Sequence, residues 1–201
     1  MKSFIHFLTL LLTVSLGIYT AHATPITFQA ILTGANEVPP VVTPATGQAI
    51  VVLDPTAQTI QINATFSGLT SNDVAAHIHC CLPSPFLTGV NVGVATTVPA
   101  FVGFPLGVTF GSYTSQVFDL TQALIYNPAF VTLQGGIPQA EAALLAGILN
   151  GETYFNIHTV SNPGGEIRGF LSQVPEPATL YLMGFGLIAL AGIIRRRRRR
   201  A

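Results

Sequence analysis

The stretch AAHIHCC, residues 75–81, sets His77 and His79 two positions apart and follows them at once with Cys80 and Cys81. Imidazole nitrogen and thiolate sulfur are the side-chain ligands that copper and zinc favour, so four such groups in five positions raise the chemistry of a metal centre. Between residues 24 and 173 the chain has one further histidine, His158, in TYFNIHTV. In an extended strand, residues two apart share a face at about 6.6 Å along the chain, which lets both rings turn toward one ion. Ile78, Phe155 and Ile157 then take the opposite face, and all three histidines are expected to lie away from the apolar core. Imidazole suits copper or zinc, and Cys81, which shares strand parity with the histidines, would add a softer ligand. The competing expectation is that His77, His79 and His158 are hydrogen-bonded surface residues that order loops. Coordination requires neutral imidazole, so metal affinity is expected to fall as pH drops through about 6.5.

Other chemistry is thinly represented. No G-x-S-x-G is present, neither cysteine has a catalytic signature, and no spacing selects two partners from Glu37, Asp119, Glu152 and Glu166. The expectation is therefore a non-enzymatic protein. Adjacent cysteines cannot close a loop, and a vicinal disulfide, free thiols or metal ligation all remain open to Cys80 and Cys81.

The elements that must position the histidines are short β-rich runs broken by Gly, Pro, Asn and Asp: ITFQAIL, GQAIVVLD, QTIQINATFSGL, AAHIHCC, SQVFDL, TYFNIHTV and GEIRGFL. Ile60, Ile62, Ala64 and Phe66 alternate with Thr59, Gln61, Asn63 and Thr65, the period-two pattern of a half-buried strand. LDPTAQTI reads as a hairpin connection with Pro55 early in the turn. Many short strands predict an all-β sandwich or barrel. The exception is PQAEAALLAGILNGE, where Pro138 precedes and Gly151 follows a short helix. Residues 82–111, rich in Gly, Pro and Phe, form a long excursion between strands, and loops of that length are commonly functional. Asn72 and Asp73 look like turn formers, Gly164-Gly165 like a turn, and Arg168 is expected to pair with a nearby acid.

The ends have a different character. Residues 1–23 combine Lys2, an apolar run from Phe4 to Tyr19 and the small-x-small exit Ala21-His22-Ala23, which reads as a signal peptide cleaved after Ala23. Residues 174–201 carry Pro175-Glu176-Pro177, an apolar stretch over 179–194 expected to form a transmembrane helix, and six arginines at 195–200. Arginines abutting such a helix act as a stop-transfer signal and hold the tail on the cytoplasmic side. Once both ends are set aside, seven acids face Arg168 alone, a formal charge of minus six for residues 24–173. Such a domain gains no counterion release from nucleic acid, and that class of partner is excluded.

The order Pro-Glu-Pro, apolar helix, arginine cluster resembles the PEP-CTERM sorting tail of Gram-negative bacteria. That resemblance implies processing by an exosortase, transit through the inner membrane, a final address at the cell surface or outside, and an association with exopolysaccharide, matrix and biofilm. The blocks FQAILTGANEVPPVVTPATGQAIVVLD, FSGLTSNDVAAHIH, GETYFNIHT and NPGGEIRGFL resemble, in order, those of the CHRD domain, an extracellular β-rich module. A CHRD protein with this tail implies a surface or matrix component in a binding or structural role. GLTSNDVAAHIH, GETYFNIH and NPGG are also similar in order to blocks of the copper-zinc superoxide dismutases, which implies a Greek-key β-sandwich or barrel. There an H-x-H strand and a later histidine ligate copper, positions that fall on His77, His79 and His158. The metal-bridging histidine and a His-rich zinc loop have no counterpart, and an acidic domain does not steer superoxide, so dismutation is not expected.

Overall fold

The structure, a computed structural model, describes residues 24–83 and 88–175, with 184–188, 190 and 195–196 in the tail. The expected signal peptide over 1–23 and most of the expected transmembrane helix over 179–194 lie outside the described residues. Among the described residues no helix is long and apolar enough to cross a membrane.

Nine strands form a curled, antiparallel sheet: β1 Ile26–Thr33, β2 Thr46–Asp54, β3 Thr59–Ser67, β4 Asp73–Cys80, β5 Gly111–Thr114, β6 Phe118–Asp119, β7 Thr153–Thr159, β8 Ile167–Phe170 and β9 Ser172–Gln173. The order across the sheet is β4-β7-β8-β1-β2-β3-β5, with β6 on β3 and β9 on β1. Five strand spacings separate β3 from β4, about 24 Å if the sheet were flat. The link from Ser67 to Asp73 reaches at most about 21 Å when fully extended. Curling relieves the mismatch by bringing the two ends of the sheet together, in keeping with the all-β sandwich or barrel expected from the pattern. At the seam, Leu69 N–H donates to Thr109 C=O and Asp73 N–H to Val108 C=O.

The alternation read from the sequence decides what lies inside. Phe28, Ala30 and Leu32 of β1, Val51 and Leu53 of β2, Ile60 and Ile62 of β3, Ile78 of β4, and Phe155 and Ile157 of β7 are all but fully buried in one apolar core. The β2–β3 hairpin holds its register from Asp54↔Thr59 to Thr46↔Ser67, and Asp54 Oδ1 accepts from Thr56 and Ala57 N–H in the turn.

Among the described residues of 24–175, two α-helices lie outside the sheet. The expected one is α2, Ile137–Leu149. The other, α1, Pro128–Gln134, was not expected: Asn127 caps it by accepting from Ala129 N–H, Pro128 opens it and Gly135 closes it at φ 94°. SQVFDL pairs only through Phe118 and Asp119, and β5 arises where the sequence suggested the end of the excursion. Of the excursion expected over 82–111, Gly111 opens β5, and the described residues of 82–110 contain no named strand. Its segment 93–100 nevertheless lines the free edge of β4: Cys80 N–H donates to Gly93 C=O, Ala95 N–H to Ile78 C=O and Ala76 N–H to Pro99 C=O. A covered edge cannot recruit another chain, and here the covering segment also roofs the histidines.

Candidate metal centre

β4 and β7 run antiparallel, with His77 opposite Asn156, His79 opposite Tyr154 and Ala75 opposite His158. β8 extends these rows, placing Arg168 opposite Asn156 and Phe170 opposite Tyr154. Strand alternation therefore gathers His77, His79, Tyr154, Asn156, His158 and Arg168 on the face turned away from the apolar core, as expected for the histidines. The expectation of surface histidines is not met. His77, His79 and His158 are only 5%, 7% and 8% exposed.

One ring nitrogen of each histidine is fixed by a backbone carbonyl. His77 Nδ1 lies 3.0 Å from Pro99 O, His79 Nδ1 2.7 Å from Val92 O, and His158 Nδ1 3.0 Å from Pro163 O. A carbonyl only accepts, so each Nδ1 carries the proton and each Nε2 presents a lone pair. All three Nε2 atoms are buried without a protein partner among the described residues. The ligand atoms the three side chains offer lie within 4.8 Å of one another. Around a shared ion at 2.0–2.1 Å, three nitrogens stand about 3.5 Å apart, so the rings need to close by roughly 1 Å. Donor type, tautomer and convergence fit a copper or zinc ion, with the carbonyls serving as the outer partners that hold ligating imidazoles in place.

Burial also decides protonation. It pushes His77 down to about 3, helped by the neighbouring charges of His158 and His79, and His79 down to about 4 against the opposing pull of its bond to Val92; His158 is lowered by burial too. His77 and His79 therefore stay neutral, and able to coordinate, well below the pH of 6.5 expected from free imidazole, and His158 is shifted in the same direction.

Around the trio lies a second buried polar group. The Tyr154 ring stacks on His79 at 4.6 Å, and the Arg168 guanidinium lies 4.7 Å from the same ring on the β8 side. Arg168, fully buried, donates from Nε to Asn36 O and from Nη1 to Asn91 Oδ1 at 3.0 Å. It faces Glu37 at 3.4 Å, the acid pairing the sequence suggested. Glu37 is pushed up to about 7 by burial, against the pull of Arg168 and Asn156. Gly165, at φ 124°, makes room for this group: a Cβ there would sit 2.6 Å from Asn156 Nδ2 and 2.7 Å from both Glu37 carboxylate oxygens. Sequence reasoning missed Glu37, Tyr154 and Asn156 as neighbours of the histidines; the parity of Tyr154 and Asn156 with His158 was the available signal.

Cys81 does not join the trio. Its sulfur is bonded to Cys80 in a vicinal disulfide, and both sulfurs face Ala143 O on α2, where Gly147 leaves room for them. Strand parity fails at Cys81 because β4 ends at Cys80. Asp73, expected in a turn, instead opens β4 as a buried acceptor of Val108 N–H.

The model of the CHRD domain matches residues 28–171, almost the whole β-fold. The chain belongs to the CHRD-domain family. Residues 173–200 match the PEP-CTERM protein-sorting motif, so this CHRD protein is exported and crosses to the cell surface as an exosortase substrate. Neither the curated proteins nor the solved structures contain a match to the chain. The CHRD match thus covers every candidate ligand.

Proposed function

We propose that this exosortase-sorted CHRD protein is a non-enzymatic surface component whose domain binds one copper or zinc ion through His77, His79 and His158. The observation that carries the reading is the convergence of three unprotonated Nε2 atoms, each buried and without a protein partner among the described residues, on rings held by the carbonyls of Pro99, Val92 and Pro163. Three buried ring nitrogens left unbonded would each lose on the order of 1–3 kcal/mol of solvation, a penalty that an ion offsets. The sorting tail supports the setting in which such a site would act: an exported domain meets metal outside the cytoplasm. Maturation would remove residues 1–23 and cut near Pro175-Glu176-Pro177.

Two experiments test this reading. Mass spectrometry of surface material should find a start at Thr24 and no peptide from Leu180 onward; intact arginine tails in the mature pool would refute the processing. Metal analysis of the purified protein should give one ion per chain, lost on His79→Ala or His158→Ala. Unchanged metal content in those variants would refute the site.

A further inference from the structure

We infer that the trio His77, His79 and His158 holds copper as the monovalent cuprous ion in preference to any divalent ion, an inference that rests on the metal-centre reading above. The donor set is three neutral imidazoles, and among the described residues neither a carboxylate nor a thiolate belongs to the convergent group. On nitrogen donors copper outcompetes zinc among divalent ions, which selects the element. Charge then selects the oxidation state. The cost of enclosing an ion in low dielectric rises with the square of its charge, and a buried divalent ion relies on anionic ligands to offset it.

A fixed positive charge beside the trio adds to that cost instead of relieving it. Arg168 lies across the Tyr154 ring from His79, about 9 Å away at most given spacings of 4.6 Å and 4.7 Å to that ring. Its counter-charge, Glu37, stands against the guanidinium and not against the histidines. Since burial pushes Glu37 up to about 7, it offsets only part of the guanidinium charge at neutral pH. Coordination number points the same way. A zinc site takes a fourth ligand, in open sites from solvent, whereas three imidazoles alone complete a trigonal cuprous site. Here the histidines are enclosed and each ring is oriented by a carbonyl, leaving the trio itself as the coordination sphere.

The test uses the full chain purified in detergent, titrated anaerobically with cuprous ion against bicinchoninate and, separately, with zinc against a zinc-binding dye at pH 7. We expect one equivalent of cuprous ion held at least about 100-fold more tightly than zinc, with the X-ray absorption edge of a three-coordinate cuprous site. Glu37→Gln, close to isosteric, strips the counter-charge from Arg168 and should weaken zinc about tenfold more than cuprous ion; equal weakening would overturn the charge argument. Zinc binding as tight as or tighter than cuprous ion would overturn the inference while leaving the three-histidine site intact. Saturable binding of neither ion would remove both. A thermal melt matching the wild type certifies each variant as folded.

Discussion

Two buried polar clusters sit on neighbouring parts of the same sheet and differ in one respect. Glu166 is fully buried, yet its carboxylate accepts from Thr43 Oγ1 at 2.6 Å, Thr70 N–H at 2.8 Å, Thr70 Oγ1 at 2.9 Å and Thr159 Oγ1 at 2.7 Å. Burial alone would raise it, but those four bonds outweigh burial and hold it below the usual glutamate range. The histidine face is just as enclosed, and Nε2 of His77, His79 and His158, Oδ1 of Asn156, Nη2 of Arg168 and Oε1 of Glu37 lack protein partners among the described residues. A cluster whose hydrogen bonds close on themselves ties loops together. One that leaves lone pairs converging is built toward something else. Burial and polarity are common to both, so only the accounting of partners separates scaffold from site.

The strongest way to break this comparison is to empty the closed cluster. Glu166→Ala strands four donors at once and should cost roughly 3–5 kcal/mol in urea unfolding, while metal affinity of the folded fraction stays within a few-fold. Loss of metal binding with little loss of stability would reverse the two roles.

Next in size is the pH dependence of the metal-free protein. His77 and His79 titrate near 3 and 4 when folded and near 6.5 when unfolded, so the unfolded chain binds more protons between those values. Their contribution is present in full above pH 6.5 and is lost as pH falls, by about 1.4 kcal/mol per unit for each ring. Glu37 runs the other way: its folded value near 7 means its contribution is present below about 4.5 and lost as pH rises to 7. Between 4.5 and 6.5 one histidine's slope is cancelled, and the urea midpoint should fall most steeply with acid between 4.5 and 4, before His79 takes up its proton in the fold as well. A flat profile from 6.5 to 4 would show the rings to be solvated.

Smaller again is Glu37→Gln. It should change stability by no more than about 1 kcal/mol at pH 5, where the acid is already neutral in the fold, and steepen the slope between 4.5 and 6.5 by removing the opposing titration. Smallest is Tyr154→Phe. The hydroxyl accepts from Val92 N–H at 3.2 Å, so its loss should cost under about 1 kcal/mol and leave the stack on His79 in place.

Much of this was legible in advance, for reasons that can be located. Period-two alternation in β3 and β7 fixed which side chains face the core, and the shared parity of His77 and His79 put their rings on one side. The hairpin at Pro55 and the helix whose first turn holds Pro138 follow from turn and cap chemistry. What failed was whatever depends on long-range cover. The outer face of β7 reads as exposed from parity, yet all seven of its residues are buried because residues 92–100, 36–38 and 163–165 fold across it. Cys81 kept the right parity on paper but lies past the end of β4, bonded to its neighbour. Helix α1 had its signals in Asn127-Pro128 and Gly135, but seven residues give too little apolar periodicity to notice.

The central claim is that three imidazoles converge with free Nε2 lone pairs on one ion. Nitrogen-15 NMR of the histidine rings in the full chain, recorded with and without one equivalent of metal, addresses it directly. The account predicts Nδ1–H tautomers for His77, His79 and His158, held down to about pH 5 in His77 and His79, with Nε2 alone shifting on metal addition in all three and saturating at one ion per chain. Rings that titrate near 6.5, or Nε2 signals that ignore the metal, would contradict it.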